Sequence, residues 1–218
     1  MSITIWIENI GKDIGGQLTL PTSRNNLETF LTDKLHFEKG RDELEIIDCI
    51  APFEIEPYES LSDLNVLAAA RESLNPKERD KVERYLEEGM RLSAIERANV
   101  YLQHEEIPFY AYKNNLVLSS PMERYGIDEF EDTADEQTKE RWQDYIDYEA
   151  IGRDAVLKGD VRLEHDGYFT NGGCIDFKLY TAEEIEKMTG IKEKIQDKEI
   201  QKAEPQLTPQ PPKKGRTR

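Results

Sequence analysis

Apolar and polar residues alternate at the start of the chain, which is the pattern of a half-buried β-strand. Three isoleucines occupy every second position of residues 3–7. After a glycine-rich turn, apolar residues recur with helical spacing over residues 24–36, where Ser23 is a suitable N-cap. Another apolar run covers residues 43–50. These elements predict an N-terminal α+β domain over residues 1–59.

Three helix-start signals follow in the middle of the chain. Ser60 can cap one helix, and Asn75-Pro76 combines a capping side chain with a proline suited to the first turn. Ser93 and Glu96 have the spacing of a capping box. The pattern predicts a central helical domain over residues 60–105.

The next segment mixes strand-like and helical patterns. Aromatic and branched residues over 107–118 indicate strands, Ser120 begins a short helix, and residues 135–157 favour one long or broken helix. Residues 160–177 are typical of a hairpin around a His-Asp-Gly turn. We predict a C-terminal α+β domain with an acidic helix over residues 106–180.

The end of the chain has a different composition. We predict a helical and disordered extension over residues 181–218, with a helix over 181–203 followed by a proline-rich, basic tail. The predicted fold class is therefore α+β, an elongated chain of small domains comprising an N-terminal α+β unit, a central helical unit, a C-terminal α+β unit and a disordered tail.

The charge composition adds a further property to the predicted domains, because acidic residues greatly outnumber basic ones. The 218 residues include 45 acidic and 29 basic side chains, a net charge of −16. Residues 191–218 hold eight basic and four acidic side chains, so the first 190 hold 41 acidic and 21 basic, a net of −20. Such a body repels nucleic acid and attracts basic surfaces. Charge alone still favours ordinary solubility as the explanation.

Candidate catalytic chemistry is sparse. His36, His104 and His165 lack metal-ligand spacing, and Cys174 has no adjacent base. The glycines do not form a phosphate-binding loop, because they lie between predicted strands. We predict that the protein is not an enzyme and has no cofactor or metal site. A metal-dependent hydrolase that uses clustered carboxylates stays an alternative.

Cysteine content and hydropathy bear on location. Cys49 and Cys174 are too few for a disulfide framework, and no apolar run approaches the length needed to cross a membrane. The alternating start of the chain does not have the composition of a signal peptide. We expect a cytoplasmic protein without membrane contact.

Carboxylates are concentrated between residues 123 and 154, where only four basic residues oppose them. We predict that these carboxylates form an outward-facing band that contacts a partner in place of DNA. Its twelve members are Glu123, Asp128, Glu129, Glu131, Asp132, Asp135, Glu136, Glu140, Asp144, Asp147, Glu149 and Asp154.

Helical spacing sharpens this prediction. On one continuous helix, Glu136, Glu140, Asp144 and Asp147 share a face. Trp142, Tyr145, Tyr148 and Ile151 interleave with these carboxylates and should then supply packing that offsets the repulsion. The alternative to partner binding is that these carboxylates lie on an ordinary solvent-exposed helix face.

The segment 144–154 resembles the signature of ArdA-type antirestriction proteins, which conjugative plasmids and transposons carry. The residues of that signature are Tyr145, Asp147, Tyr148, Gly152, Arg153 and Asp154. Residues 5–12, 46–65 and 159–169 are similar to further family blocks in the same order.

The resemblance implies a homodimer with three small domains per subunit and an acidic surface that imitates bent duplex DNA. It implies as partner a type I restriction–modification enzyme, whose methyltransferase and specificity subunits form the DNA groove. It places an antirestriction motif and a nearby dimer contact at about 125–146, and the body itself should not bind nucleic acid. The alternative is an acidic interaction module of a mobile element that binds another basic DNA-binding protein without affecting restriction.

Overall fold

The computed structural model describes residues 2–86, 91–114, 116, 118–171 and 177–190. Within them the fold is mixed α+β, with eight α-helices and two three-stranded sheets, which confirms the predicted class. The chain divides into two compact units, Met1–Ala69 with Thr181–Arg218, and Ala70–Tyr180. In the described part of the chain, every helix is too short or too polar to cross a membrane.

The strands are β1 (Ile3–Asn9), β2 (Ile14–Leu20), β3 (Leu44–Ile50), β4 (Phe109–Ala111), β5 (Val161–Leu163) and β6 (Gly167–Thr170). The helices are α1 (Arg24–Thr29), α2 (Leu61–Ser73), α3 (Pro76–Leu86), α4 (Ala94–Leu102), α5 (Pro121–Thr133), α6 (Glu136–Trp142), α7 (Tyr148–Lys158) and α8 (Ala182–Thr189).

The N-terminal sheet has the order β2-β1-β3, and both pairings are antiparallel. The alternation predicted for the first strand is confirmed, because Ile3, Ile5 and Ile7 are buried and the intervening residues are not. The strand predicted over 43–50 is also confirmed as β3. The isoleucines of the central strand thus form the core of this sheet.

The helix predicted over 24–36 forms, but it changes geometry halfway. Ser23 caps α1 by accepting the Asn26 N–H at 3.1 Å, as predicted. After Thr29 the backbone continues as a π-helical turn, Phe30–Lys34. The Phe30 ring packs against Gly16 so closely that a Cβ there would lie 3.1 Å from it.

The three middle helices begin where their caps predicted. The Asp63 N–H bonds to Ser60 Oγ at 3.3 Å, and Asn75 Oδ1 accepts the Lys77 N–H at 2.9 Å. Ser93 and Glu96 form the reciprocal capping box at the start of α4. Each cap satisfies N–H groups that a first helical turn leaves without a partner.

The second sheet has the order β4-β6-β5. Antiparallel pairing of β5 with β6 confirms the predicted hairpin. Behind this sheet, Tyr112, Tyr125, Ala155 and Val161 form a buried cluster on which Tyr168 packs. The cluster joins α5 and α7 to the sheet, so these two helices have a fixed platform.

The helix predicted over 135–157 is broken. It ends as α6 at Trp142, passes through a 3₁₀ turn at Gln143–Tyr145 and restarts as α7 at Tyr148. The helix after Ser120 is α5, which has 13 residues and is longer than expected. Gly159, at φ 75°, ends α7 in the left-handed conformation that favours glycine.

At the end of the described chain, a capping box of Thr181 and Glu184 begins α8, which confirms the first part of the helix predicted over 181–203. The remainder of that helix and the basic tail lie outside the described residues. The division into three domains and an extension stays a prediction.

Candidate partner-binding surface

Two glycines allow the helices that carry the acidic segment to pack closely. A Cβ at Gly126 of α5 would overlap the carbonyl oxygen of Tyr148, and a Cβ at Gly152 of α7 would overlap that of Met122. Backbone therefore meets backbone at both points, and only glycine fits. Phe130 adds an edge-to-face contact with the Tyr148 ring, with centroids 5.6 Å apart.

Nine of the twelve predicted carboxylates are exposed on this scaffold, and between Glu131 and Asp154 only two basic residues, Arg141 and Arg153, are exposed with them. The nine are Glu131, Asp132, Asp135, Glu136, Glu140, Asp144, Asp147, Glu149 and Asp154. The ratio of acidic to basic side chains is consequently higher on the surface of this segment than in its sequence.

Asp128 is a correction to the predicted band. It is only 3% exposed, and its carboxylate accepts the Lys113 backbone N–H at 2.8 Å and Asn114 Nδ2 at 2.9 Å. A buried carboxylate needs such donors, and here they fix the loop after β4 to α5. Asp128 is therefore a structural residue and does not face a partner.

Glu123 and Glu129 are half-buried, so neither belongs fully to the exposed band. The Tyr125 hydroxyl donates to Glu129 Oε2 at 3.3 Å. Burial raises the pKa of Tyr125 to about 12, and the neighbouring Glu129 charge adds to this. The phenol therefore remains a donor, and Glu129 is turned toward the tyrosine cluster.

The prediction of a shared helical face for Glu136, Glu140, Asp144 and Asp147 is wrong. Because α6 ends at Trp142, only Glu136 and Glu140 lie on one helix, while Asp144 lies in the 3₁₀ turn and Asp147 caps α7. Because of the break, these carboxylates lie on three short elements and do not form one straight row.

Some of the exposed carboxylates have local structural roles. Lys139 Nζ lies 3.4 Å from Glu131 and 3.5 Å from Glu136, and Lys113 pairs with Asp132. Asp135 Oδ1 accepts the Thr138 N–H at 2.7 Å, a bond that lowers the pKa of Asp135.

At the start of α7, Asp147 Oδ1 accepts the Ala150 N–H at 3.0 Å. Asp135 and Asp147 are thus the N-caps of α6 and α7, and each helix begins at an acidic residue. Their charge is stabilising there, because a helix N-terminus carries a partial positive charge.

Four exposed carboxylates have neither role. Within the described chain, Glu140, Asp144, Glu149 and Asp154 form no ion pair with a lysine or arginine and cap no helix. Their charge is therefore directed entirely into solvent, where a basic partner would meet it.

Two aromatic residues stand among these charges. Trp142 is 46% and Tyr145 81% exposed, and their rings meet edge to face with centroids 6.4 Å apart. The expectation that they supply packing is wrong for these two, whereas Tyr148 and Ile151 are half-buried and Tyr148 packs against Phe130. The Arg141 guanidinium lies 5.1 Å from the centre of the Trp142 ring.

The signature residues divide into two groups. Tyr148 and Gly152 are structural, because Tyr148 donates its hydroxyl to Gln143 O at 2.9 Å and Gly152 forms the helix contact. Asp147 caps α7, whereas Tyr145, Arg153 and Asp154 are exposed. The signature thus encodes the joint between α6 and α7 together with part of its surface.

Among the described residues, no group of three or more His, Cys, Asp or Glu side chains is arranged to hold a metal ion. His36 and His165 are exposed, and His104 Nε2 lies 3.7 Å from Glu78. Cys49 is a free, partly buried thiol, and Cys174 lies outside the described residues.

Sequence reasoning missed two arginines that contact the β5–β6 hairpin. Arg84 of α3 bonds both oxygens of Asp166, at 2.8 and 3.2 Å, and lies over the Phe109 ring. Arg162 stacks on Phe169 and donates to the Arg84 carbonyl at 2.7 Å. The available signal was limited to Arg162, which lies in a predicted hairpin that also contains Tyr168 and Phe169.

A family model described as antirestriction protein (ArdA) matches residues 9–170, about three quarters of the chain. The match contains the entire acidic segment, the second sheet, and strands β2 and β3 of the first sheet. No curated protein matches the chain.

Proposed function

Because the chain belongs to the ArdA family of antirestriction proteins, we propose that it inhibits type I restriction–modification enzymes by occupying their DNA-binding groove. The family implies antirestriction; imitation of DNA and the type I target are the proposal. The protein presents carboxylates where the groove holds phosphates, so protein and DNA compete for one site.

One observation carries this proposal: nine exposed carboxylates against two exposed basic residues between Glu131 and Asp154. Ordinary solubility requires only a scattered excess of charge. Here the excess lies on the end of α5, on α6, on the 3₁₀ turn and on α7, and a tight glycine contact holds α7 against α5. A preorganised charged surface loses less entropy on binding than a mobile one.

The electrostatics fit a distributed mechanism. Duplex DNA has one charge per ~1.7 Å of axis, a density that a single helical row of carboxylates does not reach. The broken helix spreads its charges over several directions, which suits a groove that surrounds its ligand. Attraction of this kind speeds association and is screened beyond about 8 Å at physiological ionic strength.

The exposed aromatic pair adds a contact that does not depend on net charge. A guanidinium gains energy over the face of a tryptophan or tyrosine ring. Arginine is common in surfaces that bind phosphate. Trp142 and Tyr145 therefore offer ring faces to the side chains that the neighbouring carboxylates attract.

We also propose a homodimer, a cytoplasmic location and a body that does not itself bind nucleic acid. The three-domain division, at residues 1–59, 60–105 and 106–180 with an extension over 181–218, belongs to the same proposal. Sedimentation equilibrium of the full chain tests the dimer. A weight-average mass equal to that of one subunit at micromolar concentration would contradict it.

The sharpest test neutralises the four carboxylates that have no structural role. The variant carries Glu140→Gln, Asp144→Asn, Glu149→Gln and Asp154→Asn. If each charge contributes about 0.5 kcal/mol to binding, as rim charges do, inhibition of DNA cleavage by a purified type I enzyme weakens roughly 30-fold. Stability should stay unchanged, since no ion pair or cap is lost.

A matched control removes the same charge elsewhere, through Asp33→Asn, Glu43→Gln, Glu54→Gln and Glu56→Gln, all exposed and in the N-terminal unit. We expect a smaller loss of inhibition from this control. Equal losses would show that total charge matters and position does not. If the unaltered protein did not inhibit restriction at all, binding to another basic protein would be favoured.

A further inference from the structure

The segment Phe177–Tyr180 is held against α4 by two side-chain amides. Asn99 Nδ2 donates to the Tyr180 carbonyl at 3.1 Å, and Asn99 Oδ1 accepts the Tyr180 N–H at 2.7 Å. Gln103, one residue after α4, repeats this with Lys178, donating to its carbonyl at 2.8 Å and accepting its N–H at 2.8 Å.

The two amides fit the segment because the distance between them matches the distance between the two residues that they bind. Asn99 and Gln103 are four residues apart, so on a helix they share a face and are separated by about 6 Å. Lys178 and Tyr180 are two residues apart, which in an extended chain is about 6.6 Å, with both N–H and C=O pairs on one side. The amides therefore replace the edge of a neighbouring strand.

The same amides also bond to carbonyl groups of their own helix. Asn99 is fully buried, and its Nδ2 also donates to Ile95 O at 2.8 Å. Gln103 Nε2 donates to Asn99 O at 3.1 Å. A buried amide without its partner costs free energy, so the site is complete only when an extended chain occupies it.

The side chains of the segment are half-buried at its ends, Phe177 and Tyr180, and exposed between them. Leu179 is 72% exposed, and the Lys178 ammonium lies over the Tyr180 ring within the segment itself. Only Phe177 reaches an aromatic residue outside it, Tyr85, with ring centroids 6.4 Å apart. The hydrogen bonds instead use groups that every residue except proline has.

We propose that Asn99 and Gln103 form a peptide-binding site on α4 that recognises the main chain of an extended segment. Its ligand in this chain is Phe177–Tyr180, which lies beyond the residues that the family model matches. The site thus fixes the C-terminal end of the unit that carries the acidic surface. It is selective for extended backbone and tolerant of sequence.

A pair of substitutions at one position of the full chain separates main-chain from side-chain recognition. Tyr180→Pro removes the N–H that Asn99 accepts, whereas Tyr180→Ala keeps it and removes the ring. Hydrogen exchange of the Lys178 amide, followed by NMR, reports whether the segment is docked. We expect exchange to accelerate roughly tenfold or more in Tyr180→Pro and to stay within about twofold in Tyr180→Ala.

The helix side of the contact is tested by Gln103→Leu, with Gln137→Leu on α6 as the matched control. We expect faster exchange of the Lys178 amide in the first variant and no change in the second. The Glu164 amide, bonded to Gly167 O at 2.8 Å, serves as an internal reference for global unfolding. Equal release by Tyr180→Ala and Tyr180→Pro, or no effect of Gln103→Leu, would overturn the proposal.

Discussion

At the β5–β6 hairpin, Glu164 and Asp166 both lie within 4 Å of an arginine, whereas Glu140, Asp144 and the last two exposed carboxylates of α7 have no such partner among the described residues. Both regions belong to the same compact unit and use the same residue types. The first holds its charges in pairs that stabilise the fold. The second leaves them free to act at a distance.

This difference teaches that the number of acidic residues does not by itself measure an acidic surface. Burial acts to raise the pKa of Asp166, but the hydrogen bond from Arg84 and the charges of Arg84 and His165 together lower that pKa below the usual value. A carboxylate paired in this way contributes to folding and little to the external field. Exposed carboxylates without a nearby opposite charge contribute most to the field that steers a basic partner.

The largest expected effect comes from the contact that holds the acidic elements in place. Gly152→Ala inserts a Cβ into the backbone of α5, so α5 and α7 must separate. We expect a loss of about 3 kcal/mol or more in the free energy of unfolding, measured with urea, and loss of inhibition. Gly159→Ala, where the added Cβ meets nothing within 4 Å, should cost only the strain of its positive φ.

Asp128→Ala tests whether this buried carboxylate is structural. It leaves the Lys113 N–H and the Asn114 side-chain amide without their acceptor, so we expect destabilisation of about 2 kcal/mol. The folded variant should inhibit as well as the unaltered protein at a temperature where both are folded. Loss of inhibition without loss of stability would show that Asp128 contributes to binding and is not only structural.

Arg84→Met breaks the paired region without touching the exposed one. It removes a two-bond contact to Asp166, and we expect about 2 kcal/mol of destabilisation at pH 7 with unchanged inhibition.

The pH dependence of this effect has a defined sign. The folded pKa of Asp166 is lowered, so its contribution is complete above the unfolded value of about 3.9 and is lost as the pH falls below it. Urea unfolding at pH 7, 5 and 3 should show the difference between variant and unaltered protein shrinking only at pH 3.

The smallest effect is expected for a single exposed charge. Glu140→Gln should change the inhibition constant by about twofold or less and leave unfolding unchanged, because many carboxylates share the attraction. Titration of a type I enzyme with each protein measures this. If Glu140→Gln alone abolished inhibition in a folded protein, the mechanism would depend on one specific contact.

The sequence predicted most of the local structure, because local signals decide it. The caps at Ser23, Asn75 and Ser93 and the alternation of β1 are all confirmed. The break between Trp142 and Tyr148 was less visible, since apolar and acidic residues keep helical spacing across it. The break accompanies a packing contact that is distant in sequence. Tyr148, the first residue of α7, lies against Gly126 of α5, and Gly152 of α7 lies against Met122.

The candidate surface was predictable in composition and less so in orientation. Asp128 has the same sequence context as its neighbours, and only the loop after β4, whose N–H groups it accepts, distinguishes it. The docking of Phe177–Tyr180 depends on residues about 75 to 81 positions apart, which no local pattern encodes.

Competition between the protein and duplex DNA for a purified type I methyltransferase, repeated over a range of salt concentrations, tests the central claim most directly. Imitation of DNA predicts that the protein displaces DNA completely and that its inhibition constant rises steeply with salt, as the affinity for DNA falls. Simultaneous binding of protein and DNA, or inhibition that salt does not weaken, would contradict it.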